Sequence, residues 1–393
     1  MKDSRVPPRT GGSLPALLAA VACLAAGSGT CAPLQAAAGR AAGTATTTAD
    51  RVPPPEEVGA VIGHPGPVPV PPGNPLTRAK AELGGRLFDD PGLSDDGGLS
   101  CRSCHWPDHG YAVPRALGPA HAGRAERRNS PSLVNVAFSP ALTWDGRAGS
   151  LDRQALGPLQ NPLHQNNGLD ALVARLGADP GYRAAFRAAF GDPAPTPERV
   201  GMALGSFERT LVFEDSPLDR YMEGDATALD GPQTRGLALF FGRAGCAGCH
   251  NGPNLTDHQF YALGVPDAAV RDDPAVMASV RFDARRMGLP GWVLVAADPG
   301  RQLVTHDLAD RGKFRTAGLR NVEQSAPYMH DGSLATLEDV VAFYDRGGDG
   351  TVLKPLGLGL GLGAGERRDL VAFLRALTGR QRQPAFEDAS VAR

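Results

Sequence analysis

Aromatic residues make up only 6% of this chain of 393 residues, cysteines number six, and few segments alternate apolar with polar residues as half-buried strands do. The formal net charge is −2, with no long run of either sign. Each scarcity removes something. Without a basic or acidic block, nothing points to nucleic acid or to a charged membrane surface. The longest apolar run, Leu14 to Ala26, falls short of a comfortable membrane span. The lack of strand patterning leaves a mainly α fold, and the length allows two domains of ordinary size.

What is present begins with an export signal over residues 1–38. Lys2, Arg5 and Arg9 give a basic start, the apolar run follows, and Ala36 to Ala38 offers a small-residue cleavage site. An uncleaved anchor is the alternative; Cys23 behind Ala22 makes a poor lipidation site. Residues 39–75 are rich in Pro, Gly, Ala and Thr and read as an extended linker or wrapping arm. Helical spacing is expected over Leu76–Phe88, Leu169–Phe190, Pro197–Phe213, a segment opening at Asp230, Leu337–Tyr344 and Glu366–Leu377. Residues 264–312 read as loop with a short hairpin.

Four of the cysteines fall in two copies of one pattern, Cys101-Arg-Ser-Cys104-His105 and Cys246-Ala-Gly-Cys249-His250. Cys-x-x-Cys-His is the attachment pattern of a c-type haem. Two thioethers fix the porphyrin vinyl groups, and the adjacent histidine reaches the iron. A redox Cys-x-x-Cys or half of a zinc site is the plainer alternative, but a Cys₄ zinc site has no use for a histidine after each pair. A chain trimmed beyond Cys31 then keeps no thiol for a disulfide. The porphyrins would supply apolar surface that aromatic side chains usually provide. Both motifs follow a helix ending in glycine, which suggests a duplicated cytochrome c-like unit. The domains would be residues 76–229 and 230–379, with a tail at 380–393.

From about Leu76 to Thr378 the chain resembles the bacterial di-haem cytochrome c peroxidases and their MauG-like relatives. The resemblance also rests on Arg128-Asn-Ser-Pro-Ser-Leu-Val-Asn135, Trp144-Asp-Gly-Arg147, Gln154 to Pro162, Gly312 to Thr316, Leu319-Arg-Asn-Val322 and Ala326-Pro-Tyr-Met-His-Asp-Gly332. It implies that His105 is the proximal ligand of a peroxide-reactive haem and His250 that of an electron-transfer haem. Trp144 resembles the tryptophan between the haems; a packed core indole is its plainer role. Asn129, Ser325 and Pro327 match an inter-domain calcium site of hard oxygen donors, with Asn129 as a turn former the alternative.

Two positions depart from the peroxidases. Their distal methionine at the second haem is replaced by Tyr344, as in the MauG-like branch, and a phenolate lowers the potential where a thioether raises it. Met329 and Met222 are the rival ligands. The glutamate expected just after Asn161-Pro162 is replaced by His164, while Gln154 and Pro158 keep their offsets. An imidazole there could carry protons between peroxide oxygens, bind the iron, or lie at the surface. His121 stands where the peroxidases carry a second, displaceable iron ligand; an exposed loop histidine is the alternative. His330 is expected to order the loop beside the second haem, and His64, His109, His258 and His306 to lie at the surface.

These residues imply a periplasmic oxidoreductase that uses hydrogen peroxide. Its electrons would come from a small c-type cytochrome or cupredoxin, or from a tryptophan on a partner protein. The alternative from another class is a di-haem electron carrier or sensor, its first iron capped by His121 or His164.

Overall fold

The computed structural model describes residues 51–123, 126–265, 273–348 and 359–387; the export signal, Cys23 and Cys31 lie outside them. Among the described residues the elements are mostly helices, with four two-residue strands. No described helix is long and apolar enough to cross a membrane.

Apolar side chains gather in two principal clusters. One takes Leu87, Phe88, Phe186, Val200 and Leu204 from the Arg78–Asp89, Pro180–Phe190 and Pro197–Glu208 helices. The other takes Leu237, Phe240, Val341, Leu370 and Phe373 from the Gly231–Phe241, Leu337–Asp345 and Ala364–Arg375 helices. Each such side chain, once buried, contributes about 1.5–3 kcal/mol. Local chemistry fixes the starts: Thr77 accepts from Lys80 N, and Asp230 with Gln233 forms a reciprocal capping box.

The two clusters are built alike. In each, the helix before the Cys-x-x-Cys-His motif lies against a later helix through a glycine. A Cβ on Gly84 would meet the Ala203 carbonyl oxygen at 2.0 Å, and one on Gly236 the Asp369 carbonyl oxygen at 2.1 Å. A second repeat joins Ser139-Pro-Ala-Leu-Thr-Trp-Asp-Gly146 to Ser325-Ala-Pro-Tyr-Met-His-Asp-Gly332. Both loops are closed by a bridge, Leu142 with Ala148 and Tyr328 with Leu334. Both have positive φ at matching places, Thr143 and Met329, Gly146 and Gly332. Trp144 and His330 are therefore counterparts.

Several sequence expectations change. The helix expected over Leu169–Phe190 breaks into Leu169–Ala178 and Pro180–Phe190. Pro180 disfavours helical backbone at Asp179, whose carboxylate caps the second helix through Gly181 N and Tyr182 N. The next helix stops at Glu208, and Phe213–Glu214 pairs antiparallel with Arg380–Gln381, anchoring the start of the expected tail. Within 264–312 there is a helix, Pro274–Arg286, in place of a hairpin. Its Val276, Val280 and Ala284 are buried on one face. The strands Phe260–Tyr261 and Phe314–Arg315 pair on either side of that segment. The arm carries a helix, Pro55–Val61, whose Val58 joins the second cluster together with Ile62.

Candidate functional site

Both motif histidines sit at the end of a tight turn. His105 Nδ1 lies 2.9 Å from the Tyr111 carbonyl oxygen, and His250 Nδ1 lies 2.9 Å from that of Leu255. A ring nitrogen facing a carbonyl must carry the proton, so in both rings Nε2 keeps its lone pair. Burial lowers the pKa of both rings and keeps them neutral. Cys101, Cys104, Cys246 and Cys249 form no disulfide. Burial pushes the Cys101, Cys104 and Cys246 thiols up to about 12.

Around the first motif, His164 Nδ1 lies 2.6 Å from Glu126 Oε1. Glu126 is buried, and its charge adds to burial in raising the Cys104 thiol. The charge of His164 also bears on His105. His121 Nε2 lies 2.5 Å from Asp95 Oδ1 and 3.4 Å from Asp96 Oδ2. Its main-chain N–H donates to the Leu163 carbonyl, tying this loop to the one that carries His164. Gln154 ends the Leu151–Gln154 helix, partly buried. The amide that reaches the motif is Gln165, whose Nε2 stands 3.9 Å from Cys101 Sγ. Glu126, Gln165 and Glu208 were all missed from sequence. Glu208 is buried and its charge bears on Cys101. Only the placing of Glu126 just ahead of the Arg128 block could have drawn attention to it.

Beside the second motif lies a cavity of about 510 Å³. Cys246, Cys249, His250, Trp144, Tyr344 and Met329 all line it. Tyr344 comes from the Leu337–Asp345 helix, and burial raises the pKa of its phenol. Met222 packs against the second apolar cluster instead. Asn129, Ser325 and Pro327 line the same cavity. Asn129 Nδ2 donates to the Arg115 and Ala116 carbonyls, each 3.1 Å away, which leaves Oδ1 for another partner.

The peptide of Asn129 stands between the two counterparts. Trp144 Nε1 donates to the Asn129 carbonyl at 2.8 Å, and Asn129 N–H donates to the His330 carbonyl at 2.8 Å. In the matching position Arg315 N–H donates to the Trp144 carbonyl at 2.8 Å. His330 is buried and stacked on Phe314, ring centroids 3.7 Å apart. Of the other histidines, His64 and His306 are exposed, as expected. His109 and His258 are not: each is partly buried, with a buried Nδ1.

A buried ionic lattice backs Trp144. Arg128 reaches Asp298 at 2.6 Å and Asp145 at 2.7 Å. Arg127 reaches Asp283 at 2.6 Å and Asp298 at 3.1 Å. Arg147 reaches Asp145 at 2.5 Å and Asp283 at 3.1 Å. Burial alone would raise the three carboxyls, but the guanidiniums outweigh it; Asp283 is held down to about 2, and Asp145 and Asp298 also lie below the usual range. Asp283 and Asp298 come from the segment read as loop, so their part was not foreseen.

This arrangement fits covalently held haem. Each motif offers two unbridged thiols and one imidazole oriented through Nδ1, and the cavity at the second is of ligand size. The family model described as di-haem cytochrome c peroxidase matches residues 78–227. The chain is 41% identical to the cytochrome-c peroxidase IdrP1 of Pseudomonas sp. (strain SCT), over 79% of this chain and 84% of that one. It is 38% identical to the methylamine utilization protein MauG of Methylorubrum extorquens, over 85% and 88%. It is 37% identical to the cytochrome c551 peroxidase of Pseudomonas aeruginosa, over 79% and 81%. Among solved structures, a MauG-like protein associated with microbial copper homeostasis superposes with a TM-score of 0.69 at 32% identity, covering 80% of this chain and 94% of that one. The diheme peroxidase BthA from Burkholderia thailandensis superposes with a TM-score of 0.63 at 26% identity, covering 80% and 91%. The chain thus belongs to the di-haem cytochrome c peroxidase family, oxidoreductases that act on peroxide.

Proposed function

We propose that this protein reduces hydrogen peroxide in the periplasm with two c-type haems, one in each of two cytochrome c-like halves. The haem on Cys101, Cys104 and His105 would meet peroxide. The haem on Cys246, Cys249 and His250 would also be held by Tyr344 and would pass electrons. Trp144 is the relay between them, His164 the acid–base group, and Gln154 a pocket residue. Asn129, Ser325 and Pro327 hold a calcium ion through oxygen atoms.

The observation that carries this reading is the shared cavity: Trp144 and Tyr344 face the same space as His250. A redox-active indole and a phenol beside one iron suit storage and transfer of oxidising equivalents better than simple carriage of electrons. A pure carrier would need His121 or His164 on the first iron. His121 Nε2 is turned instead to Asp95, which counts against capping by His121. The electrons come from a small c-type cytochrome or cupredoxin, or from a tryptophan of a partner protein; Tyr344 favours the second source and His121 the first.

When bound, the haems supply the redox chemistry. The chain's own part is to hold the imidazoles in one tautomer, exclude water from the second cavity, and move a proton at the first. The test is a ferric spectrum before and after peroxide, in the parent and in Trp144→Phe. A high-spin component is expected in the parent, and both haems should change with peroxide. In Trp144→Phe the first haem should still respond and the second should not. Two purely low-spin haems, or unchanged two-haem kinetics in the variant, would overturn the reading.

A further inference from the structure

Glu126 has no role in the reading above, yet its surroundings are specific. Its carboxylate is buried, with a side-chain exposure of 8%, while His164 beside it is 34% exposed. Oε1 and Nδ1 stand 2.6 Å apart, an ion-pair distance reached without hydrogen-bond alignment, and among the described residues Oε1 has no other hydrogen-bond partner. A Cβ on Gly118 would come 3.1 Å from Cys104 Sγ, 3.3 Å from Ser130 Oγ and 3.5 Å from Glu126 Cγ. Glu126 and the thiol that carries the first haem thus flank the same glycine, and the charge of Glu126 bears on that thiol. His164 stands further out, with its charge bearing on His105.

We propose that Glu126 and His164 form a carboxylate–imidazole pair, in which Glu126 holds the ring through Nδ1 and leaves Nε2 as the nitrogen that meets peroxide. The inference rests on the acid–base reading of His164. Of the two, the carboxylate is the more buried and the ring the more exposed. The order is thus carboxylate behind, imidazole in front, as where an acidic side chain fixes the tautomer of a working histidine. A lone imidazole could present either nitrogen; one whose Nδ1 faces a carboxylate presents Nε2 as the base. Nε2 would take the proton from one peroxide oxygen and return it to the other, which leaves as water; the haem held by Cys101, Cys104 and His105 would supply the two electrons that cleave the O–O bond. Glu126 is a positioning residue: it touches His164, not the peroxide.

The test is a cycle of Glu126→Gln, His164→Leu and the double substitution in the haem-loaded protein, read by the rate at which cyanide binds ferric haem. Hydrogen cyanide must surrender a proton on binding, so this readout needs a distal base but no turnover. His164→Leu should slow binding by about two orders of magnitude, and Glu126→Gln by about one. In the His164→Leu background, Glu126→Gln should change nothing further. Haem content and the ferric spectrum should match the parent in every variant. If Glu126→Gln does not load haem, Glu126→Asp carries the same cycle, and its effect should likewise vanish without His164. An equal loss with and without His164 overturns the pairing, because Glu126 would then act by itself. A neutral Glu126→Gln beside a slow His164→Leu overturns it too and leaves the acid–base reading standing. A neutral His164→Leu removes that reading and the pair with it.

Discussion

At the scale of single residues, the motif histidines and cysteines were legible because haem attachment dictates both identity and spacing. Its place in a helix after His330 singles out Tyr344, which lines the cavity beside the second motif, as the proposed ligand there. Substituting Tyr344→Met should raise the potential of the second haem and give a His/Met spectrum; an unchanged spectrum at both haems would exclude ligation. What sequence could not supply is which carboxylate faces which ring, because Glu126, Asp95 and Glu208 reach their partners through the fold. Glu208 carries its own consequence. Burial, aided by Asp152 and opposed by Arg209, raises its pKa from 4.5 to about 8. The folded state then keeps a proton that the unfolded chain has lost across this window. Stability is full below about pH 4.5 and falls as pH rises to about 8, with a limiting slope of about 1.4 kcal/mol per pH unit. Glu208→Gln should flatten that fall in chemical denaturation measured from pH 5 to pH 8.

Helical period and end signals placed the Arg78–Asp89, Gly231–Phe241, Leu337–Asp345 and Ala364–Arg375 helices closely, while short ones such as Pro55–Val61 and Pro217–Met222 carry too little period to be read. The exceptions have local causes. Leu169–Phe190 holds one apolar face on both sides of Asp179-Pro180, and the period hid the break that the proline enforces. Pro274–Arg286 was hidden because its second half, Arg281 to Arg286, is mostly charged. The glycines inside the Arg78–Asp89 and Gly231–Phe241 helices look like poor helix formers in sequence. In the fold each is a point of contact, with a neighbouring carbonyl where a Cβ would stand. Gly236→Ala should lower unfolding stability by about 1–3 kcal/mol, although alanine favours helix, because overpacking outweighs propensity. Alanine at Gly97, whose added Cβ meets nothing, is a poor control because φ is +67° there; Gly365, on an open helical surface, is the better one. Gly365→Ala should be neutral or slightly stabilising.

For the whole molecule, the haem motifs revealed a duplication, and a shared frame of Ser with Asp-Gly six and seven residues on pairs Trp144 with His330. The two side chains share few chemical properties, so it is the matching backbone, with positive φ at Thr143 and Met329, that makes the correspondence plain. The lattice of Arg127, Arg128 and Arg147 with Asp145, Asp283 and Asp298 joins the Pro274–Arg286 segment to the Trp144 loop. Removing one charge leaves its partners buried and uncompensated, at a cost of about 3–5 kcal/mol. Asp283→Asn should therefore lower stability by that order at pH 7. Its pKa is held near 2, so the parent keeps this contribution above about pH 4 and loses it as pH falls toward 2. The difference between parent and variant should shrink over that interval, as thermal unfolding at pH 7 and at pH 2.5 would reveal.

The arm has a consequence in time. Val58 and Ile62 find their apolar neighbours among residues 218–377, Tyr221 Oη donates to the Pro53 carbonyl, and Gly252 N–H donates to the Val61 carbonyl beside the second motif. A chain made from its N-terminus thus produces this helix first and must hold it idle until nearly everything else has arrived. The first motif, Cys101 to His105, is complete well before the second core exists. Closing a loop of such length comes late in assembly, so docking of the arm reports the last step of folding rather than the first. A chain shortened ahead of the Ala364–Arg375 helix should leave residues 53–62 open to protease while its first half stays protected.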